Sequence, residues 1–377
     1  MKRFLFALVA SVVLPLAAIA ADTIKIGGLF SITGPASFIG EPERNSMEMA
    51  IEEINQAGGI HGKKLVSVIY DTGGDARKTV NFFRRLTKND GVNIIVGPSL
   101  SGSTLAIKDM IEKEPDVTVL SCAASDKIVN PIVKNLFKTA QSDDIAVERI
   151  FGYLQKLDVK RIAILTATNG FGQSGDEQLT RLAADYGLQI VINEKFGPAD
   201  TDMTGQLTKI RRAEPEFLIV WSINPGPAII AKNMKQLGID IPTINSHGVA
   251  SRRFIELAGA DAEGIILPSG RITIVDQIPD NHPQKEILVR YDQAYRAKFN
   301  AEPSHFGAHA YDAVYLIKAA LEQNSNIAEL ATTLESLPPQ TLVDGVFTYS
   351  ATDHSGLSAD AFSLLRVKNG QWEIIED

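Results

Sequence analysis

Two short segments gather the small, hydroxyl-bearing residues from which an anion site can be built. Gly97-Pro98-Ser99-Leu100-Ser101-Gly102-Ser103-Thr104 follows the apolar run 93–96 and leads into a helical pattern. Free N–H groups at a helix start, with serine hydroxyls beside them, hold a carboxylate or a phosphate. The same residues also make an ordinary N-cap, and on this loop alone both readings stand. A P-loop is excluded, because no Gly-Lys-Ser or Gly-Lys-Thr follows. A second segment, Ser121-Cys122-Ala123-Ala124-Ser125, follows the apolar run 117–120. On adjacent strands the two loops can enclose one carboxylate with neutral dipoles alone.

Reactive chemistry has little to work with. There is no Gly-x-Ser-x-Gly elbow and no His-Glu-x-x-His. His305 and His309 stand four apart and could share a helical face that suits zinc, but no third ligand is near in sequence. Ser304 to Ala308 otherwise reads as a helix start. A zinc-dependent protein is kept as the alternative; the expectation is a non-enzyme with no cofactor and no bound metal. The lone cysteine, Cys122, can form neither an intramolecular disulfide nor a zinc-finger cluster.

These residues sit in a chain of 377, which at roughly 150 per domain predicts two domains. Hydrophobic residues at 45% and charged residues at 22% match a globular protein. Lys and Arg number 37 against 45 Asp and Glu, with no basic run to follow a phosphate backbone, so nucleic acid is not expected as a partner. Lys2 and Arg3, an apolar stretch and Ala18-Ile19-Ala20 predict a signal peptide over residues 1–20, cut before Ala21. The mature protein is then expected to be soluble and periplasmic. The competing reading is a retained anchor, at about 18 apolar residues the short limit for a span.

Strand-like runs at 23–29, 65–70, 93–96 and 117–120 alternate with helical patterns at 45–56, 76–89 and 104–112. The alternation resumes with strands at 161–166, 189–194, 217–221, 243–245 and 264–267, separated by helices near 145–156, 172–186, 203–213 and 227–237. This predicts an α/β fold of two Rossmann-like lobes with central parallel sheets. Helical patterns at 284–299, 309–323 and 327–337 come without strands between them. They are expected to cover a face of the first sheet, so the chain returns to it and several crossovers form a hinge. Strand-like runs at 362–368 and 372–375 end the chain.

The segment Ile54-Asn55-Gln56-Ala57-Gly58-Gly59-Ile60-His61-Gly62-Lys63-Lys64-Leu65, followed by Tyr70-Asp71, closely resembles the leucine/isoleucine/valine-binding protein family of ABC importers. Gly27 to Pro35, Ile95-Val96-Gly97-Pro98 and Tyr311-Asp312-Ala313-Val314 are similar to the same family. The resemblance spans about Asp22 to the C-terminus. It implies a type I periplasmic binding protein: lobe 1 from 22–141 plus 270–346, bearing the carboxylate loops, and lobe 2 from 142–269 plus 347–377, closing on them.

Carried over by the resemblance, the family serine that binds the ligand carboxylate falls on Ser101. The second loop's alanine carbonyl and threonine hydroxyl fall on Ala123 and Ser125, and an aromatic from the opposing lobe falls on Phe171. Phe306 joins the set. The departures are His247 where the family has the glutamate that pairs with a ligand ammonium, Ile223 and Ile39 where it has tyrosines, and Gly74 and Leu100 where it has a disulfide. An imidazole is neutral or positive and does not neutralise an ammonium. The expected ligand is therefore a small carboxylate with an apolar body, an aromatic acid of the kind some branches of the family bind or a keto or hydroxy acid. His247 then bonds one of its oxygens or makes only structural hydrogen bonds. The expected partner is an inner-membrane ABC permease, and the protein a monomer. A branched-chain amino acid binder and a ligand-sensing module for a receptor are the alternatives.

Overall fold

The structure, a computed structural model, describes residues 23–377. The expected signal peptide lies outside the described residues. The first sheet is built from β1 (Thr23–Phe30), β2 (Lys64–Asp71), β3 (Ile94–Val96), β4 (Thr118–Ser121) and β5 (Leu136–Lys138), in the order β2-β1-β3-β4-β5. Every pairing in it is parallel. Helices α1 (Ser37–Gln56), α2 (Ala76–Lys88) and α3 (Ser101–Glu112) connect the first four strands.

The chain then crosses through α4 (Asp143–Lys156) into a seven-stranded sheet. Its parallel part comprises β6 (Arg161–Ala167), β7 (Gln189–Phe196), β8 (Phe217–Trp221), β9 (Thr243–Asn245) and β10 (Ile266–Ser269). The crossover helices are α5 (Gly170–Leu182), α6 (Thr204–Arg212), α7 (Gly226–Gln236) and α8 (Arg252–Ala258). Continuously apolar strands such as Phe217-Leu218-Ile219-Val220-Trp221 fit a sheet covered on both faces.

After β10 the chain returns to the first sheet with α9 (Lys285–Phe299), α10 (His305–Gln323), α11 (Leu330–Glu335) and the two-stranded ribbon β11 (Gln340–Thr341) and β12 (Val346–Phe347). Tyr291, Tyr311, Val314 and Ile317 pack in one core with Met47, Ala50 and Ile54 of α1. Phe347, Tyr349 and Leu357 belong to that core as well. The second sheet is rejoined only at β13 (Ser363–Lys368) and β14 (Gln371–Glu376), with β13 antiparallel to β10. The segment 347–361 thus packs with the first lobe, because three of its large apolar side chains fill that core.

Several elements differ from the sequence-based expectation, among them α8, β11 and β12, for which no pattern was read. Helix α1 begins at Ser37 rather than 45, running through Gly40 and Pro42. Pro42, the sixth residue of α1, leaves the Phe38 carbonyl without its usual intrahelical N–H partner, and Gly40 lies against the Ser31 backbone where a Cβ would come within 2.4 Å. Helix α10 begins at His305, within the helix start read over Ser304 to Ala308 and ahead of the periodic run from 309, with the Ser304 side chain accepting a hydrogen bond from Gly307 N–H at 3.3 Å. Strand β5 has only three residues and was not anticipated.

Both sheets reverse strand order, the first between β1 and β3 and the second between β6 and β8. In open α/β sheets such reversals leave a crevice beyond the carboxyl ends of the strands. The two crevices face each other.

Candidate functional site

Between the lobes lies a cavity of about 580 Å³, walled by loops that follow the strands of both sheets. The lobes are closed over it. A Cβ on Gly170, at the start of α5, would lie 3.0 Å from the Gly102 backbone at the start of α3. At the rim, Lys127 Nζ and Glu177 form an ion pair across the lobes at 2.6 Å.

On the first lobe's wall stand Ser99, Ser101, Ser103, Ala123 and Ala124. Ser101 opens α3, and its Oγ accepts the Ser125 N–H at 3.2 Å, which ties the two small-residue loops together. That bond uses an acceptor site and leaves the hydroxyl hydrogen of Ser101 free to donate. Ser103 Oγ is buried without a partner. The second loop is shaped by Ser121 Oγ, which accepts from Ala123 N–H at 3.2 Å and bonds Thr104 Oγ1 at 2.8 Å. Behind it the fully buried Lys138 donates from Nζ to Ala124 O at 2.7 Å. Ser125 stands apart: it precedes a short 3-10 turn, is fully buried, and does not line the cavity.

From the second lobe come Phe171, Ile223, Asn224, His247 and Gly248. Asn169 caps α5 by accepting from Gly172 N–H at 2.8 Å, which fixes Phe171 in the first turn. Gly172 leaves no room for a side chain, since its Cβ would fall 1.9 Å from Ala167 O. His247 follows β9 in a short 3-10 turn, edge-on to Phe171 and Trp221 with ring centroids 5.3 and 5.7 Å away. Neither of its ring nitrogens has a hydrogen-bond partner. Asp143 Oδ1 lies 3.7 Å from His247 Nε2, beyond hydrogen-bond distance, and both Asp143 oxygens are unpartnered and buried. Burial raises the Asp143 carboxyl to about 7 and pushes His247 well below the ordinary histidine value, so burial disfavours both charges. Trp221 is fully buried, its indole against Gly175, and belongs to the core rather than to the cavity wall.

Ile39 and Phe306 complete the wall from α1 and α10, with Phe306 edge-on to Phe38 at 5.6 Å. Gly74 and Leu100 are neighbours, a Gly74 Cβ falling 3.3 Å from Leu100 Cδ1, so packing replaces the family disulfide at that place. Cys122 is buried, and desolvation raises its thiol well above the usual range.

The zinc alternative gains no support. His305 and His309 are close, with ring centroids 4.7 Å apart, and each uses its Nδ1 in a hydrogen bond, while His305 Nε2 is buried without a partner. His305 Nδ1 accepts from Gly270 N–H at 3.2 Å, and His309 Nδ1 bonds Asp344 Oδ2 at 2.7 Å. Burial lowers His309 to about 3. Among the described residues no group of three or more side chains could hold a metal ion.

Seven of the eight expected residues, all but Ser125, therefore meet at one cavity. Ser99, Asn224 and His309 line the cavity as well, beyond the expected set. Ser99 belongs to the first serine-rich loop, whose serine spacing is its sequence signal. Asn224, both of whose side-chain polar atoms are buried and unpartnered, follows a strand end in Ser-Ile-Asn-Pro, which carries no local mark of function.

The periplasmic binding protein family matches residues 23–371. The chain belongs to that family. Among relatives of this periplasmic binding protein, the leucine-, isoleucine-, valine-, threonine- and alanine-binding protein of Pseudomonas aeruginosa is 29% identical over 306 residues, 81% of this chain and 79% of the relative. Among solved structures, an extracellular ligand-binding receptor from Rhodopseudomonas palustris is similar with a TM-score of 0.86 and 25% identity, covering 94% of this chain and 100% of the other. The branched-chain amino acid transporter substrate-binding protein of Streptococcus pneumoniae, in complex with isoleucine, is similar with a TM-score of 0.83 and 26% identity over 94% and 100% of the two chains. No helix among the described residues of this periplasmic binding protein is long and apolar enough to cross a membrane.

Proposed function

We propose that this chain is the periplasmic substrate-binding component of an ABC importer and captures a small carboxylic acid with an apolar body, an aromatic or a keto or hydroxy acid. One observation carries the ligand class. Of the described residues lining the cavity, the only acidic one is Asp75, and its carboxylate serves the N-cap of α2, accepting from Lys78 N–H at 2.8 Å. An α-ammonium group buried here would lack a counter-ion, a loss that costs several kcal/mol. A carboxylate, by contrast, meets the serine hydroxyls and the free N–H groups at the start of α3, while Phe171, Ile223, Ile39 and Phe306 surround an apolar body.

In this reading the ligand docks on the first lobe, the second lobe closes by hinge motion, and His247 bonds a ligand oxygen. Micromolar capture requires about 8 kcal/mol, within reach of one buried ring or branched chain plus a few charge-assisted hydrogen bonds. The closed complex, a monomer, then docks on an inner-membrane permease. The relatives' names favour a second reading, a branched-chain amino acid binder. A thermal-shift screen of the mature protein against leucine, isoleucine, benzoate, 3-phenylpropanoate, branched 2-keto acids and amides separates the two. The acids are expected to raise the melting temperature most; a shift with the amino acids alone overturns the acid reading.

A further inference from the structure

Glu43 is a fully buried carboxyl on α1 with no ion-pair partner among the described residues. Its Oε2 bonds Ser99 Oγ, and its Oε1 has no partner at all. Ser99 in turn lies on the cavity wall, and its Oγ accepts the Ser31 N–H at 3.0 Å. The titratable groups on neighbouring elements offer no counter-charge. Burial keeps the Cys122 thiol after β4 and the Tyr291 phenol on α9 protonated, and keeps His309 on α10, bonded to Asp344, neutral. Lys138 of β5 spends its ammonium on Ala124 O.

The hydroxyl of Ser99 has one hydrogen to give and two lone pairs to receive with. Ser31 N–H occupies one lone pair. Were Glu43 ionised, Ser99 would have to give its hydrogen to the carboxylate. The cavity wall would then present an acceptor, with a negative charge one hydroxyl behind it, to an incoming anion. With Glu43 protonated, the carboxylic O–H fills the second lone pair of Ser99, and the serine hydrogen is released toward the cavity. Burial drives Glu43 the same way, raising its carboxyl well above the ordinary glutamate value against the lowering effect of the Ser99 bond.

We propose that Glu43 is a positioning residue for the ligand carboxylate: it carries a proton in the folded protein, donates it to Ser99 Oγ, and so turns Ser99 into a hydrogen-bond donor beside Ser101. The inference rests on reading the cavity as a carboxylate site, and it deepens that reading by adding a second serine and the acid that orients it. It also implies that affinity falls as pH rises far enough to ionise Glu43.

The test has one arm without ligand and one with it. In ligand-free protein at pH 7, the infrared difference between wild type and Glu43→Gln is expected to show the carbonyl stretch of a protonated carboxylic acid. A carboxylate band in its place overturns the proposal. In the second arm, calorimetry with benzoate and with leucine reads whichever carboxylate binds. Ser99→Ala is expected to weaken binding about tenfold, the worth of one charge-assisted hydrogen bond. Glu43→Gln, whose amide N–H donates in the same place, is expected to hold the loss below about threefold and to flatten the fall in affinity at alkaline pH. Wild-type affinity in Ser99→Ala overturns the proposal. Binding of leucine but not benzoate refutes the acid reading alone, while the serine and glutamate arms are still decided with leucine.

Discussion

Replacing Asp143 with asparagine tests whether the second lobe holds an uncharged carboxyl behind His247. The carboxyl is raised by burial from 3.8 to about 7, so between those values the folded protein keeps a proton that the unfolded chain has released. Unfolding then liberates that proton, and stability falls as pH rises through the window, levelling off above pH 7. A displacement of about three pH units is worth about 4 kcal/mol at 1.36 kcal/mol per unit. The asparagine variant, unable to ionise, is expected to lose about 4 kcal/mol less than wild type between pH 4 and pH 8. Denaturant unfolding of ligand-free protein, followed by the fluorescence of Trp221 beside His247, measures the difference directly. His247 pulls in the opposite sense, because its lowered pKa makes folding less favourable as pH drops below the ordinary histidine range, but it is common to both proteins and cancels. Parallel pH profiles for the two proteins would refute the reasoning, because they would mean that the Asp143 carboxyl releases its proton at the same pH in the folded protein as in the unfolded chain.

Ser101→Ala is expected to weaken a carboxylate ligand about tenfold or more by calorimetry, through loss of a charge-assisted donor, whereas Ser125→Ala, off the cavity wall, is expected to change affinity by less than about threefold. Equal effects of the two substitutions would contradict the placement of the two serines. His247→Glu supplies an acid in the cavity and is expected to shift preference in the thermal screen from acids toward amines; an unaltered ligand ranking would remove His247 from the site. Gly170→Val pushes side-chain atoms into the Gly102 backbone, where even a Cβ sits at 3.0 Å, and overpacking of this kind costs about 1–3 kcal/mol. Because the contact forms only on closure, affinity is expected to drop about five- to 150-fold with stability of the open form retained; small-angle scattering should show less ligand-induced compaction than in wild type.

Much of this architecture was legible in the residues because it depends on local chemistry. Apolar runs of strand length separated by helical periodicity already specify two parallel sheets, and Gly58-Gly59 in left-handed conformations closes α1 as its type requires. The serine loops were readable for the same reason: small hydroxyl residues between a strand and a helix present backbone N–H groups wherever they occur. Helix starts were read less well. Gly40 and Pro42 look like breakers in sequence, and only the close approach of the Ser31 backbone explains the glycine at 40.

What tertiary structure decided are relations between residues far apart in the chain. Nothing local to Asp143 announces that His247 will stand 3.7 Å away, or that Glu43 will lie behind Ser99. Nor does the local sequence tell Ser101, whose hydroxyl lines the cavity, from Ser125, which spends its backbone N–H on holding Ser101. Sequence determines which groups a loop carries. Burial, which sets whether a carboxyl keeps its proton and where a hydroxyl sends its hydrogen, arises only when the chain has packed into its tertiary fold.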